Sequence, residues 1–133
     1  MSKVVTLSEA ASIALHGIVL IARSEGMINV TNIAEATATS RHHVAKVLQR
    51  LVKVGYLYSH RGPTGGFSLK KKPAEITLLE LYETIEGKIE ITECPLDKPI
   101  CAFGKCLLEN KANQMTIEFR DFLNSKTVAD YIK

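Results

Sequence analysis

The chain has 133 residues, 46% hydrophobic and 23% charged, with 17 Lys or Arg, 14 Asp or Glu and a formal net charge of +3. That length suits one domain with a modest core, and no apolar run approaches the ~20 residues of a membrane span. The first residues lack the apolar core and small-residue cleavage pattern of an export signal, and an odd cysteine count without an even disulfide framework points to a reducing cytoplasm.

Residues 7 to 23, LSEAASIALHGIVLIAR, predict a first helix with Ser8 as N-cap and with Leu7, Ala11, Ala14, Leu15 and Ile18 at helical spacing. A short helix is expected over about 32 to 37, anchored by Ile33 and Ala34. Ser40 then caps a third helix, RHHVAKVLQRLVKVG, ended by Gly55. Short helix, tight turn and longer helix make a helix-turn-helix. On the third helix Val44, Val47, Leu48 and Leu51 share a core face. His42, Ala45, Lys46, Gln49 and Lys53 take the opposite face, flanked by Arg41, His43 and Arg50. Gln pairs with adenine edges and Lys with guanine edges in a major groove wide enough for one helix.

The next stretch, YLYSHRGPTGGFSLKK, alternates apolar and polar residues around a Gly- and Pro-rich turn. It predicts a β-hairpin with strands near 56 to 60 and 67 to 70. Its tip is Arg61, Gly62, Pro63, Thr64, Gly65 and Gly66, where small residues let backbone N–H groups approach a phosphate and Arg61 adds a guanidinium. A hairpin directly after a recognition helix reads as a wing. Residues 41 to 72 contain eight Lys or Arg, three His and no Asp or Glu. That is the footprint of a surface that meets a polyanion.

After Pro73, EITLLELYETIEG predicts a short acidic amphipathic helix, and a last long helix is expected from about Lys105 to Ser125. Leu108, Ala112, Met115, Phe119 and Phe122 step along it by 4, 3, 4 and 3, a seam suited to pairing with another helix. The expected fold is therefore mainly α with a small β-hairpin wing. A winged helix-turn-helix would occupy 1–75; the connecting helix, a cysteine loop and a dimerisation helix would occupy 76–133. Expected partners are double-stranded DNA, as a promoter operator, and a second copy in a homodimer, with no membrane. His42 and His43 are the only adjacent histidines, and no Ser-His-Asp or Cys-His arrangement is legible, so an enzyme is not expected.

Between the last two helices lies CPLDKPICAFGKC, residues 94 to 106, which holds all three cysteines. Inert core thiols scatter among apolar residues. These instead sit beside Pro95, Asp97, Lys98, Pro99, Gly104 and Lys105, as in a loop. Structural zinc sites pair cysteines two to four residues apart, which gaps of six and four fit poorly.

SRHHVAKVLQRLVKVGYLYSHRGPTGGFSL, followed by a three-cysteine loop and a long helix, resembles the Rrf-two family of winged-helix regulators, particularly its iron–sulfur members of the IscR, NsrR and RirA kind. The resemblance spans almost the whole chain. It implies a cytoplasmic homodimer whose cluster, two-iron or four-iron, alters affinity for a promoter, acting as a sensor of redox, nitric oxide or iron status. It also implies that Arg61, Gly62, Pro63, Thr64, Gly65 and Gly66 meet the minor groove and backbone, while His42, His43, Ala45, Lys46 and Arg50 lie in the helix that enters the major groove. Two departures stand out. The family's cysteine gaps are about five residues each, and Glu109 stands where IscR-like members have histidine.

Iron–sulfur clusters are usually held by four protein ligands, so Cys94, Cys101 and Cys106 leave one place for a nitrogen or oxygen donor. The family's acidic first-helix ligand falls at Ser12 here, and the histidine of a related type falls at His16. His16, Glu9, Glu109 or no protein group remain candidates. The other reading is a family member controlled by a partner protein or metabolite, with the cysteines as a thiol sensor or zinc site. Members of that type generally lack the cysteine triplet.

Overall fold

Helix α1 spans Glu9–Arg23 in the computed structural model, which describes residues 2–92, 94, 96, 98 and 100–132. Pro95, Asp97 and Pro99, read above as loop residues, lie outside the described residues. The Ser8 hydroxyl accepts from the Ala11 N–H at 3.0 Å and starts α1 as expected. Helix α2 runs Val30–Thr37. It begins two residues before the expected start, because Asn29 caps it by accepting from the Asn32 N–H at 2.8 Å. Helix α3, Arg41–Val54, lies between the predicted caps: Ser40 accepts from the His43 N–H, and Gly55 turns the chain at φ 105°. A side chain is hard to place at that φ.

Strands β1, Leu57–His60, and β2, Gly66–Leu69, pair antiparallel, with Leu57 opposite Leu69 and His60 opposite Gly66. Strand β1 starts one residue later than expected, since the Tyr56 N–H returns to the Leu51 carbonyl at 3.0 Å in the turn that ends α3. A contact unseen in the sequence lies on the other side of β2. Phe67 donates to the Ile28 carbonyl at 2.9 Å and accepts from the Ile28 N–H at 3.3 Å, which ties the hairpin to the residues entering α2.

The α1 and α3 helices meet where Gly17 faces Leu48; a Cβ at Gly17 would stand 3.4 Å from Leu48 Cδ2. Around that contact Ile13, Ile18, Ile33, Val44, Leu48 and Leu51 are buried, joined by Leu57 and Phe67 from the hairpin. Burying each large side chain contributes about 1.5–3 kcal/mol. Ile76, Leu81 and Val128 from the second half of the chain enter the same core.

Helix α4, Leu78–Glu86, begins at a capping box in which Thr77 and Glu80 satisfy each other's backbone N–H groups. The free Glu80 oxygen accepts from the Tyr56 hydroxyl at 2.8 Å, joining α4 to the end of α3. Burial, reinforced by that carboxylate, pushes the Tyr56 phenol up to about 12. The folded value exceeds the ordinary 10, so this contribution to stability is complete below pH 10 and lost as pH rises through 12. Chemical denaturation of the protein and of Tyr56→Phe across this window should show wild type losing about 2 kcal/mol relative to the variant. A constant difference would contradict the assignment.

Helix α5, Lys111–Ser125, starts six residues after the expected Lys105. Glu109 and Asn110 adopt left-handed φ values of 51° and 62°, and Gly104 lies at 75°, so the helix cannot extend back through them. Leu108 of the expected seam therefore precedes the helix, while Ala112, Met115, Phe119 and Phe122 remain on it. Phe119 packs edge-on against Tyr82 of α4 at 6.4 Å between ring centroids. A final 3-10 turn, Val128–Tyr131, is held by the Val128 N–H on the Ile76 carbonyl at 2.9 Å.

Candidate nucleic-acid interface and thiol loop

The core face of α3 is fixed by Val44, Val47, Leu48 and Leu51, so the opposite face must look outward. Arg41, His42, Lys46, Gln49 and Arg50 are exposed, and Ala45 is half-buried. All eight Lys and Arg residues of the acid-free stretch are exposed: Arg41, Lys46, Arg50, Lys53, Arg61, Lys70, Lys71 and Lys72. Among the described residues none of them has a carboxylate within ion-pair distance. Charges on one surface without partners favour a polyanion, because no internal pair must be broken to bind it.

His43, expected on the flank of the outward face, also meets a carboxylate. Its Nδ1 lies 2.5 Å from Glu9 Oε1 at the head of α1, so it braces α3 against α1 at the margin of the basic face. The sequence spacing of 34 residues gives no signal for this pair.

At the wing, the Gly65 N–H closes a tight turn on the Gly62 carbonyl at 2.9 Å. Gly62 has φ 102°, and a Cβ on Gly65 would stand 2.2 Å from the His60 carbonyl oxygen. On Gly66 it would stand 2.6 Å from the Ile28 carbonyl oxygen. Backbone on backbone leaves no room for side chains there. Arg61, Pro63 and Thr64 remain exposed at the tip. At the base, Lys71 Nζ lies 4.6 Å from the Tyr56 ring centroid and Lys70 Nζ 5.6 Å from that of Tyr58, so aromatic faces hold two cations.

Cys94, Cys101 and Cys106 are free and half-buried. The Thr92 hydroxyl donates to the Cys94 carbonyl at 2.6 Å, and the Cys94 thiol reaches the Lys98 carbonyl at 3.5 Å. Buried Asn113 of α5 donates its side-chain N–H to the Thr92 carbonyl and to Asn110 Oδ1, bringing the start of the loop to the start of α5. Backbone N–H groups of Asn110, Leu108 and Glu109 hold the Cys106 thiol below its ordinary value, which favours the thiolate, the form that binds metal. The donor chemistry thus fits a thiolate-bound iron centre. Among the described residues, however, no three His, Cys, Asp or Glu side chains stand together closely enough to hold an ion.

The candidate fourth donors fall in different places. Glu9 is engaged by His43, and Glu109 sits in the left-handed turn after Cys106. His16 is exposed on α1, with Nδ1 2.8 Å from the Ser12 carbonyl. A carbonyl oxygen only accepts, so Nδ1 is the donor in this contact, and Nε2 is the ring nitrogen it leaves unengaged. A backbone carbonyl holding the opposite ring nitrogen is the usual setting of a ligating histidine. His16 also lines a cavity of about 670 Å³ with Leu15, Val19, Leu78, Phe119 and Phe122.

A family model described as iron-dependent transcriptional regulator matches residues 7–133. The chain is 31% identical over 107 residues to the HTH-type transcriptional regulator NsrR of Bacillus subtilis (strain 168), covering 79% of this chain and 73% of that protein. It is 28% identical over 121 residues to the HTH-type transcriptional regulator IscR of Serratia proteamaculans (strain 568), covering 90% and 70%. Among solved structures it resembles CymR, the global cysteine regulator of B. subtilis, with TM-score 0.77 and 22% identity over 96% of both chains. Against T. potens IscR the TM-score is 0.71 at 20% identity, over 96% of this chain and 85% of that one. At such identities the two structures establish the winged-helix fold, and no more.

Proposed function

The chain belongs to the Rrf2 family of transcriptional regulators, and from that membership we propose that it is a cytoplasmic homodimeric promoter-binding repressor whose hold on DNA is set by an iron–sulfur cluster. The observation that carries the DNA reading is the exposed basic stretch from α3 through the wing, whose Lys and Arg side chains have no carboxylate within ion-pair distance among the described residues. In this reading Arg41, His42, Ala45, Lys46, Gln49 and Arg50 meet the major groove, with His43 at its margin. Arg61 and the Gly62–Gly66 backbone meet phosphate and minor groove.

Cys94, Cys101 and Cys106 would hold the cluster, with His16 as the favoured fourth donor because its Nε2 is the available nitrogen. A bound cluster supplies a centre whose redox state and ligation respond to oxidants, nitric oxide or iron supply. The chain's part is to offer three thiols from one loop, favour the thiolate at Cys106 through nearby backbone N–H groups, and tie that loop to α5 through Asn113. Among the described residues no helix is long and apolar enough to cross a membrane.

A second reading keeps the promoter binding and makes the cysteines a thiol sensor or zinc site, with control by a partner protein or metabolite. Its thiol-sensor form is favoured by the lack of three converging donors among the described residues, which a zinc site would need as much as a cluster does. Cys101→Ala separates the two. Protein purified without air should show visible absorption and stoichiometric iron and sulfide, and the variant should lose both while its salt-matched promoter affinity shifts by about fivefold or more. Iron-free wild-type protein after anaerobic reconstitution would leave the second reading.

A further inference from the structure

We propose that the Ser8–Glu9 turn at the head of α1 is the mechanical link between the thiol loop and the recognition helix. The inference rests on the sensing reading above and names the contacts through which it would operate. Starting from the loop, the Thr92 hydroxyl holds the Cys94 carbonyl at 2.6 Å. The Ile89 N–H is fastened to Glu83 Oε2 of α4 at 2.8 Å, so the entry to the loop moves with the end of that helix. The last residue of α4, Glu86, accepts from the Ser8 hydroxyl. That same hydroxyl accepts from the Ala11 N–H, which makes it both the cap of α1 and the point where α4 grips α1. The next residue, Glu9, takes His43 Nδ1 at 2.5 Å. His43 belongs to the first turn of α3, where its own N–H is held by Ser40 Oγ at 3.1 Å.

Two adjacent residues of one turn therefore grip α4 and α3. The Glu9 and His43 side chains are 60% and 34% exposed, and a surface pair of that kind adds little stability. Its effect is on position. A shift of the α4 terminus, imposed by ordering of the loop, displaces Ser8. Glu9 moves with it, and the first turn of α3 tilts relative to the wing. The equilibrium is biased only as far as the two loop states differ in free energy of these contacts.

Glu86→Ala breaks the link on the α4 side and Glu9→Ala on the α3 side. Glu9→Gln keeps an oxygen able to accept from His43. Fluorescence anisotropy on a labelled promoter fragment at fixed salt gives the ratio of affinities for iron-loaded and reduced, metal-free full-length protein. Glu86→Ala and Glu9→Ala should each bring this ratio about threefold or more nearer to one, and Glu9→Gln should restore part of the difference. In the metal-free protein alone, Glu86→Ala should speed amide hydrogen exchange at His43 and Val44 about threefold, with the thermal melt showing both proteins folded. A wild-type ratio that survives both alanine variants, or unchanged exchange in the first turn of α3, overturns the link. A wild-type ratio of one overturns the sensing reading and, with it, the link's role.

Discussion

Gly65→Ala should weaken promoter binding about tenfold or more while leaving most of the helical signal intact. The added methyl would lie 2.2 Å from the His60 carbonyl oxygen and 2.9 Å from the Arg61 carbonyl carbon, and neither is a flexible group that can swing aside. The turn closed by the Gly65 N–H on the Gly62 carbonyl must open, at a cost above about 1 kcal/mol. Arg61 and the tip N–H groups then lose their fixed aim, and a preorganised phosphate contact becomes a disordered one. The main core sits between α1 and α3, away from the turn, so the damage should stay local. Wild-type affinity at matched salt, measured by electrophoretic mobility shift, would remove the wing from the interface.

The second large effect is expected from Phe122→Glu. Phe122 is 47% exposed, Met115 40%, Tyr131 38% and Leu7 41%, and all but Met115 border the cavity between α1 and α5. One residue further along, Leu123 faces inward at 2% exposure, so α5 keeps its hold on its own domain without Phe122. In the proposed homodimer, two-fold symmetry places the substituted residue twice in one interface. Burying two carboxylates among apolar groups costs several kcal/mol, so the dimer dissociation constant should rise about a hundredfold or more. Sedimentation equilibrium should show monomer at micromolar concentration with the helical spectrum unchanged. Promoter affinity should fall in step, because two half-sites would no longer be held by one unit. An unaltered dimer, or a monomeric wild type, would show that this seam serves another purpose.

Local rules made much of the DNA-facing half legible. Ser8, Ser40 and Gly55 are caps whose chemistry is written in single residues, and Val44, Val47, Leu48 and Leu51 repeat at a period that only a buried helical face explains. The thiol half was less legible because its determinants are conformational. The start of α5 depends on Glu109 and Asn110 adopting left-handed backbone, a state that Asn tolerates and Glu does not advertise. The Ile28–Phe67 bridge, the Glu9–His43 pair and the Ser8–Glu86 contact join residues 39, 34 and 78 positions apart. No periodicity reports such meetings; they arise only once the helices have packed.

The Asn113 bond to Thr92 gives the cysteine segment the form of a noose with its neck already drawn, anchored on a side chain only 7% exposed. Gathering distant ends of a chain is entropically costly, and here folding has met that cost before any ion arrives. In the proposed cluster-bound state, capture would therefore begin from two ends already gathered, with only the residues between them still to find their places.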